Sequence, residues 1–227
     1  MPGTPPRPAA AFTVSSDTRP IPQPRDFAKR ALDVALSGFG LLLSAPLWLA
    51  IATAVRLEDG GPIFYAQERA GKEGRTFKAL KFRSMIPEAE TRVGPLQAAA
   101  DDPRITRVGR VLRATAMDEL PQLWNIFRGD MSFVGPRALR PGEIEVNGLG
   151  EVERLEDVPG FAGRCSVRPG LTGVAQIYAP RDVLRRHKFR YDAVYIRRRS
   201  FWLDVRLILL SFWISLRGAW EVRGKKF

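Results

Sequence analysis

The sequence predicts a mixed α/β protein, mostly helical. It places a membrane-inserted helix-break-helix ahead of a small, cytosol-facing basic domain with interfacial amphipathic helices. Three observations predict this: a 22-residue uncharged run, a hairpin pattern behind it, and a capped aromatic helix near the C-terminus. The composition agrees. The 227 residues carry 36 Lys and Arg against 24 Asp and Glu, a formal charge of +12, and 45% are apolar, enough to bury a core. The cationic excess calls for a polyanion: nucleic acid, anionic lipid or a phosphorylated substrate. A single cysteine, Cys165, excludes an intrachain disulfide and a Cys-based zinc site, and a single histidine, His187, excludes His-pair metal sites and makes a Ser-His-Asp triad improbable.

Residues 1–25 are rich in Pro, Ala, Ser and Thr and read as a disordered tail. They are too long and too polar for the basic start of a signal peptide. The segment 26–57 follows, built on the uncharged run Val34–Val55. As a straight helix at 1.5 Å per residue it would reach about 33 Å, enough to cross the hydrocarbon core. Pro46 near its middle removes a backbone hydrogen bond and crowds the carbonyl four residues back, and Ser44 is placed to satisfy a freed backbone group. Cations flank both ends: Arg25, Lys29 and Arg30 before it, Arg56, Arg69, Lys72, Arg75, Lys78, Lys81 and Arg83 after it. The positive-inside rule then places both flanks in the cytoplasm. A helix broken at Pro46 that enters and leaves through one leaflet meets that demand; a Pro-kinked single span is the alternative.

Residues 58–227 are mixed and basic. The segments Ile63–Arg69 and Arg75–Met85 flank the turn-like AGKEG and predict a hairpin, with Lys81 and Arg83 on one strand face. Arg104, Arg107, Arg110 and Arg113 form a basic stripe on a predicted helix. The segment 200–218 reads as a helix with Ser200 as N-cap, Asp204 in its first turn and Gly218 as its stop. Asp204, Ser211 and Ser215 fall on one face. The helix is too short to span, so it lies in the membrane interface or in the core. Arg197–Arg199 beside Trp202 favour the interface.

In the stretch 116–127, Leu120, Leu123, Trp124 and Phe127 follow helical spacing, and Pro121 is tolerated only in a first turn. Asp118 and Glu119 therefore sit where a helix begins. Two readings are open. Asp118 is an N-cap with Glu119 complementing the dipole, or the two carboxylates divide into a nucleophile and a metal ligand.

The segments KRALD (29–33), FKALKFRSM (77–85), DPRITRVGRVLRATAMDELPQLWNIFRGDMSFVGPRAL (102–139) and VRPGLTGVAQ (167–176) resemble the bacterial sugar transferases, monotopic polyprenyl-phosphate phosphoglycosyl transferases. The resemblance runs from about Lys29 to Gly218 and looks like the minimal catalytic form. It implies transfer of a sugar-1-phosphate from a UDP-sugar donor to undecaprenyl phosphate with release of UMP. It places the chain at the cytoplasmic face of the bacterial inner membrane, among phospholipids, in the first membrane step of exopolysaccharide, O-antigen or glycoconjugate assembly. It further implies a re-entrant helix broken at Pro46, magnesium as cofactor, Asp118 as the nucleophile and Glu119 as a metal ligand. Lys81, Arg83, Arg113, Arg137, Arg168 and Arg181 carry over as substrate phosphate ligands, and Asp192 as a support for the metal or the carboxylates. Asp33, with Lys29 and Arg30, reads as an interface anchor. The chain departs from the family pattern at Ala138, which stands for a second proline, and at Val174, which stands for a tryptophan. The sugar is unreadable, and the oligomeric state is open, a homodimer included. The competing class is a basic peripheral membrane or nucleic-acid binding protein without catalysis; it accounts for the charge but not for the uncharged run or the carboxylate pair.

Overall fold

The computed structural model describes residues 26–87, 89, 102–146, 152–180 and 183–217. The Pro-rich tail, Arg181 and Gly218 lie outside the described residues. Helices dominate and three two-stranded ladders join them, so the architecture is mixed and mostly helical.

Helix α1 (Asp26–Asp59) is one continuous helix with Pro46 inside it. Its apolar length is sufficient to cross a membrane by length and composition. Ser44 donates to the Gly40 carbonyl at 2.6 Å. The carbonyl that Pro46 deprives of a donor is that of Leu42, four residues back, so Ser44 does not replace the lost bond. Back-bonding of this kind bends helices.

Both arms of α1 are tied to the same domain. On the N-terminal arm, Lys29 reaches Asp204 at 2.8 Å and the Val134 carbonyl at 2.9 Å. Asp33 is fully buried and accepts from Ser132 Oγ and the Phe133 amide. Arg30 donates to the carbonyls of Ile126 and Phe127. The trio expected to be an interface anchor thus anchors in protein, on the β3 strand, the end of α3 and Asp204. On the C-terminal arm, Ile51 and Val55 pack with Phe82 and Leu112, and Trp48 meets Phe82 edge-on. Between the arms, Leu42, Leu43 and Leu49 on either side of Pro46 are each more than 70% exposed.

The hairpin forms as expected: β1 (Phe64–Ala70) and β2 (Thr76–Phe82) pair antiparallel, with Tyr65 opposite Lys81. Its turn needs left-handed backbone at Glu73 and Gly74, which the AGKEG sequence supplies. Helix α2 (Arg107–Ala114) carries three of the four stripe arginines; Arg104 precedes it and is bound to Asp102. Thr106 caps α2, and Glu58 from the end of α1 adds a second acceptor at the Arg107 amide.

A 3-10 turn (Met117–Glu119) comes next, then helix α3 (Gln122–Arg128). Strand β3 (Ser132–Val134) pairs in parallel with β6 (Gly170–Thr172), while β4 (Ile144–Val146) and β5 (Val152–Arg154) form a second hairpin. Short helices α4 (Phe161–Arg164) and α5 (Val174–Tyr178) flank β6, and α6 (Arg185–Arg198) and α7 (Phe201–Leu216) close the chain.

Ser200 caps α7 as expected, its hydroxyl accepting from the Leu203 amide. Helix α7 is apolar on its outer face as well as its inner one. Asp204, Leu207 and Ile214 are buried, and Ser211 bonds Thr172 inside the fold. Trp202, Leu209, Phe212 and Trp213 point outward, each roughly half exposed or more.

One buried amide fixes β2 against α3. Asn125, 2% exposed, accepts from the Leu80 amide at 2.9 Å and donates to the Lys78 carbonyl at 2.8 Å. It completes the open edge of β2 as a neighbouring strand would. Asn125→Leu strands both groups and is expected to cost about 2–4 kcal/mol, read as a lower thermal midpoint of the detergent-solubilised protein. An unchanged midpoint would show that the clamp contributes nothing.

Candidate active site

The site begins with a local backbone feature. Ala116 adopts a left-handed conformation (φ 56°), which ends α2 and turns the next three residues into the 3-10 turn. Asp118 and Glu119 therefore lie on a separate turn, and α3 begins only at Gln122, with Pro121 as its N-cap. Asp118 makes no capping bond, so the capping reading is set aside. Its side chain is nearly buried instead, facing Lys81 on β2.

Lys81 is shared by the two carboxylates. Its ammonium lies 2.5 Å from Glu119 Oε1 and 3.7 Å from Asp118 Oδ2. Arg137 approaches Glu119 Oε1 from the opposite strand system at 3.5 Å, with more than half of its side chain exposed. Arg113, at the end of α2, adds its field to Asp118.

The environment splits the pair. Burial pushes the Asp118 carboxyl above the usual range, against the pull of Lys81 and with the push of the Glu119 charge. Burial also opposes ionisation of Glu119. There, however, Lys81, Arg137 and Arg69 together prevail and hold the carboxyl at about 2. Arg69 is half-buried near the site, and desolvation together with Arg137 and Arg140 lowers its own value to about 10. Sequence reasoning had counted Arg69 only as a flanking charge; its place on an inward strand face behind Lys81's partner Tyr65 was the signal that could have found it.

The expected phosphate ligands do not all converge. Lys81, Arg113 and Arg137 join the carboxylates. Arg83 does not: it is buried, binds Asp59 through both terminal nitrogens and donates to the Pro62 carbonyl. The β1–β2 ladder ends at Phe82, and Asp59 draws the guanidinium under the end of α1 instead of along the Lys81 face. Arg168 donates to the Gly129 carbonyl at 3.0 Å, beside the end of α3, where a cation complements the helix dipole. Asp192 is buried against Arg164 at 3.1 Å and does not touch the carboxylate pair. Arg181 lies outside the described residues.

Two glycine motifs meet behind Arg137. A Cβ on Gly170 would lie 2.0 Å from the Gly135 nitrogen, and one on Gly135 would lie 2.4 Å from the Arg168 carbonyl. The GPR and RPG segments cross backbone to backbone, and only glycine permits that approach.

Among the described residues no group of three or more metal-ligating side chains gathers. The pair still suits magnesium, which is held by one or two carboxylates together with substrate phosphates.

The domain that both arms of the long apolar helix grip thus carries a nearly buried acidic pair with Lys81, Arg113 and Arg137 around it. The sequence comparisons make this specific: the model of the bacterial sugar transferase family matches residues 24–218, and the chain belongs to that family. It is 39% identical over 200 residues to the undecaprenyl-phosphate glucose phosphotransferase of Komagataeibacter xylinus, covering 85% of this chain and 36% of that protein. It is 40% identical over 198 residues to the UDP-glucose:undecaprenyl-phosphate glucose-1-phosphate transferase of Caulobacter vibrioides, covering 83% and 70%. It is 35% identical over 214 residues to the exopolysaccharide production protein ExoY of Rhizobium meliloti, covering 88% and 90%. The chain thus spans well under half of some relatives and nearly all of another.

The split pair has opposite effects on stability. The fold disfavours ionised Asp118, a cost present above its folded pKa and absent below the ordinary value of 3.8. It favours ionised Glu119, a gain present above 4.5 and lost as pH falls toward about 2. In EDTA at pH 7.5, Asp118→Asn is expected to raise the thermal midpoint and Glu119→Gln to lower it, the latter by up to about 3 kcal/mol of stability. The Glu119→Gln deficit should shrink below pH 4.5. Equal shifts of one sign for both variants would contradict the division.

Proposed function

We propose that this chain transfers a sugar-1-phosphate from a UDP-sugar to undecaprenyl phosphate, releasing UMP, through a covalent phosphoglycosyl-aspartate. The observation that carries the proposal is the nearly buried Asp118 beside Lys81 and the cation-held Glu119.

In the first step an Asp118 carboxylate oxygen attacks the sugar-bearing phosphorus. The bond from that phosphorus to the bridging oxygen breaks, and UMP leaves with the electron pair. In the second step an oxygen of the lipid phosphate attacks the same phosphorus, the aspartyl P–O bond breaks, and the carboxylate is restored. Two anions must meet in each step. At 4 Å and an effective dielectric of about 20, unit like charges repel by about 4 kcal/mol. Lys81, Arg113 and Arg137 offset this, and Lys81 holds Glu119 in place while its charge faces Asp118. The raised basicity of Asp118 makes its ionised oxygen the better nucleophile of the pair. Magnesium, held by Glu119 and substrate phosphates, would supply further charge neutralisation.

The membrane arrangement follows from the acceptor, an anion on an apolar chain. We read α1 as re-entrant, entering and leaving by the cytoplasmic leaflet of the inner membrane. Support comes from its two arms, which dock on one domain, and from the exposed leucines around Pro46 between them. The outward Trp202, Leu209, Phe212 and Trp213 of α7 suit the interface, with Arg197 and Arg198 exposed just ahead of them.

With magnesium and undecaprenyl phosphate, the purified protein should release UMP from at least one of UDP-glucose, UDP-galactose and UDP-N-acetylgalactosamine. Asp118→Asn should abolish release. Normal turnover in that variant would remove Asp118 as the nucleophile. For topology, in a Cys165→Ala background, Phe27→Cys and Leu57→Cys should both label from the cytoplasmic side alone. Labelling from opposite sides would mean a true span.

A further inference from the structure

Arg137 reaches Glu119 from an irregular segment, and long exposed side chains on irregular backbone are poorly directed. The segment 136–139 is nevertheless held at each consecutive carbonyl by a donor from elsewhere in the fold. The Pro136 carbonyl accepts from the Gly170 amide at 2.9 Å, and the Leu139 carbonyl from the Ala70 amide at 2.8 Å. Between them, the Ala138 carbonyl accepts from Arg69 Nη1 at 3.1 Å and the Arg137 carbonyl from Arg164 Nη2 at 2.7 Å. The Arg137 bond is the one nearest the functional side chain.

Arg164 is itself fully engaged. It is 7% exposed, its Nε donates to Asp192 at 3.1 Å, and its guanidinium lies 4.7 Å above the Phe189 ring. Asp192 is 3% exposed and comes from the middle of α6. The carboxylate at Nε and the aromatic face against the guanidinium plane fix its orientation, and in that orientation an Nη2 hydrogen points at the Arg137 carbonyl. A buried ion pair of this cost is weak support for stability alone; here it also aims a backbone.

We propose that Arg164, oriented by Asp192, is a positioning residue that aims Arg137 at Glu119 and at the diphosphate of the donor. The proposal rests on the transfer reading for its kinetic consequence but not for its structural one. It also assigns the aspartate of α6 a place two steps from the chemistry, acting through Arg164 and the Arg137 backbone and not on the carboxylate pair.

The test is a double-mutant cycle joined to hydrogen exchange. UMP release is measured with whichever of UDP-glucose, UDP-galactose and UDP-N-acetylgalactosamine turns over, for Arg164→Met, Arg137→Ala and the double variant. Arg164→Met should lower kcat/KM by roughly tenfold, mostly through KM, when Arg137 is present, and by less than about twofold when Arg137 is already alanine. Amide exchange in a peptide covering 135–140 should rise selectively in Arg164→Met. If that variant does not fold, Asp192→Asn carries the same readouts with a near-isosteric change. An Arg164→Met loss undiminished in the Arg137→Ala background would overturn the proposal, as would exchange that is unchanged at 135–140 or raised equally throughout. Should none of the donors turn over, the transfer reading fails, and the exchange measurement alone decides the positioning role.

Discussion

The site depends on one ammonium group. Two adjacent carboxylates are held out of water, and the Lys81 side chain lies within reach of both. Without that charge, burial would drive both carboxyls toward protonation. With it, and with Arg137 and Arg69 nearby, Glu119 stays ionised while Asp118 keeps a raised basicity. Most of the surrounding fold serves to hold Lys81 where it is. The hairpin carries it, Asn125 locks the hairpin edge to α3, and the left-handed Ala116 brings the acidic turn across to meet it.

The second constraint is the lipid phase. Helix α7 is apolar on both faces: Leu207 and Ile214 lie in the core beside Asp204 and Ser211, while two tryptophans, a phenylalanine and a leucine face outward. Its inner polar groups are matched: Asp204 takes Lys29 from α1 and the Tyr195 hydroxyl from α6, and the polar contact ties α7 to the N-terminal arm of α1. An outward apolar face of this size marks a surface that a membrane or a partner covers. The same Lys29–Asp204 bond that satisfies α7 holds the N-terminal arm of α1 against the domain that carries Asp118 and Glu119.

Much of this was legible in the sequence, and what was legible was local. The AGKEG hairpin, the Ser200 cap and the apolar run are short-range patterns and came through as elements. The neighbourhood of Asp118, Glu119 and Lys81 was legible through family motifs. Periodicity alone leaves Asp118 open between a helix cap and a reactive carboxylate, because nothing in the composition of 116–119 announces a left-handed alanine. Long-range polar partnerships were not legible. Arg83 and Arg168 read as substrate phosphate ligands, and only the folded chain brings Asp59 and the Gly129 carbonyl to them. Asn125 sat inside an apolar helical pattern and gave no hint that its amide would complete a strand edge. Lys29, Arg30 and Asp33 read as an interface anchor because sequence does not reveal which distant polar groups the fold brings to them.

All of the chemistry turns on whether a protein oxygen takes the phosphoryl group before the lipid does. Intact-mass and peptide analysis after incubating the enzyme with magnesium and a turnover-competent UDP-sugar, but no acceptor, addresses that point. The account predicts a gain of one sugar phosphate on the peptide containing Asp118, discharged when undecaprenyl phosphate is added. Product formation by enzyme that never carries such an adduct, under conditions in which acyl phosphates survive, would contradict it.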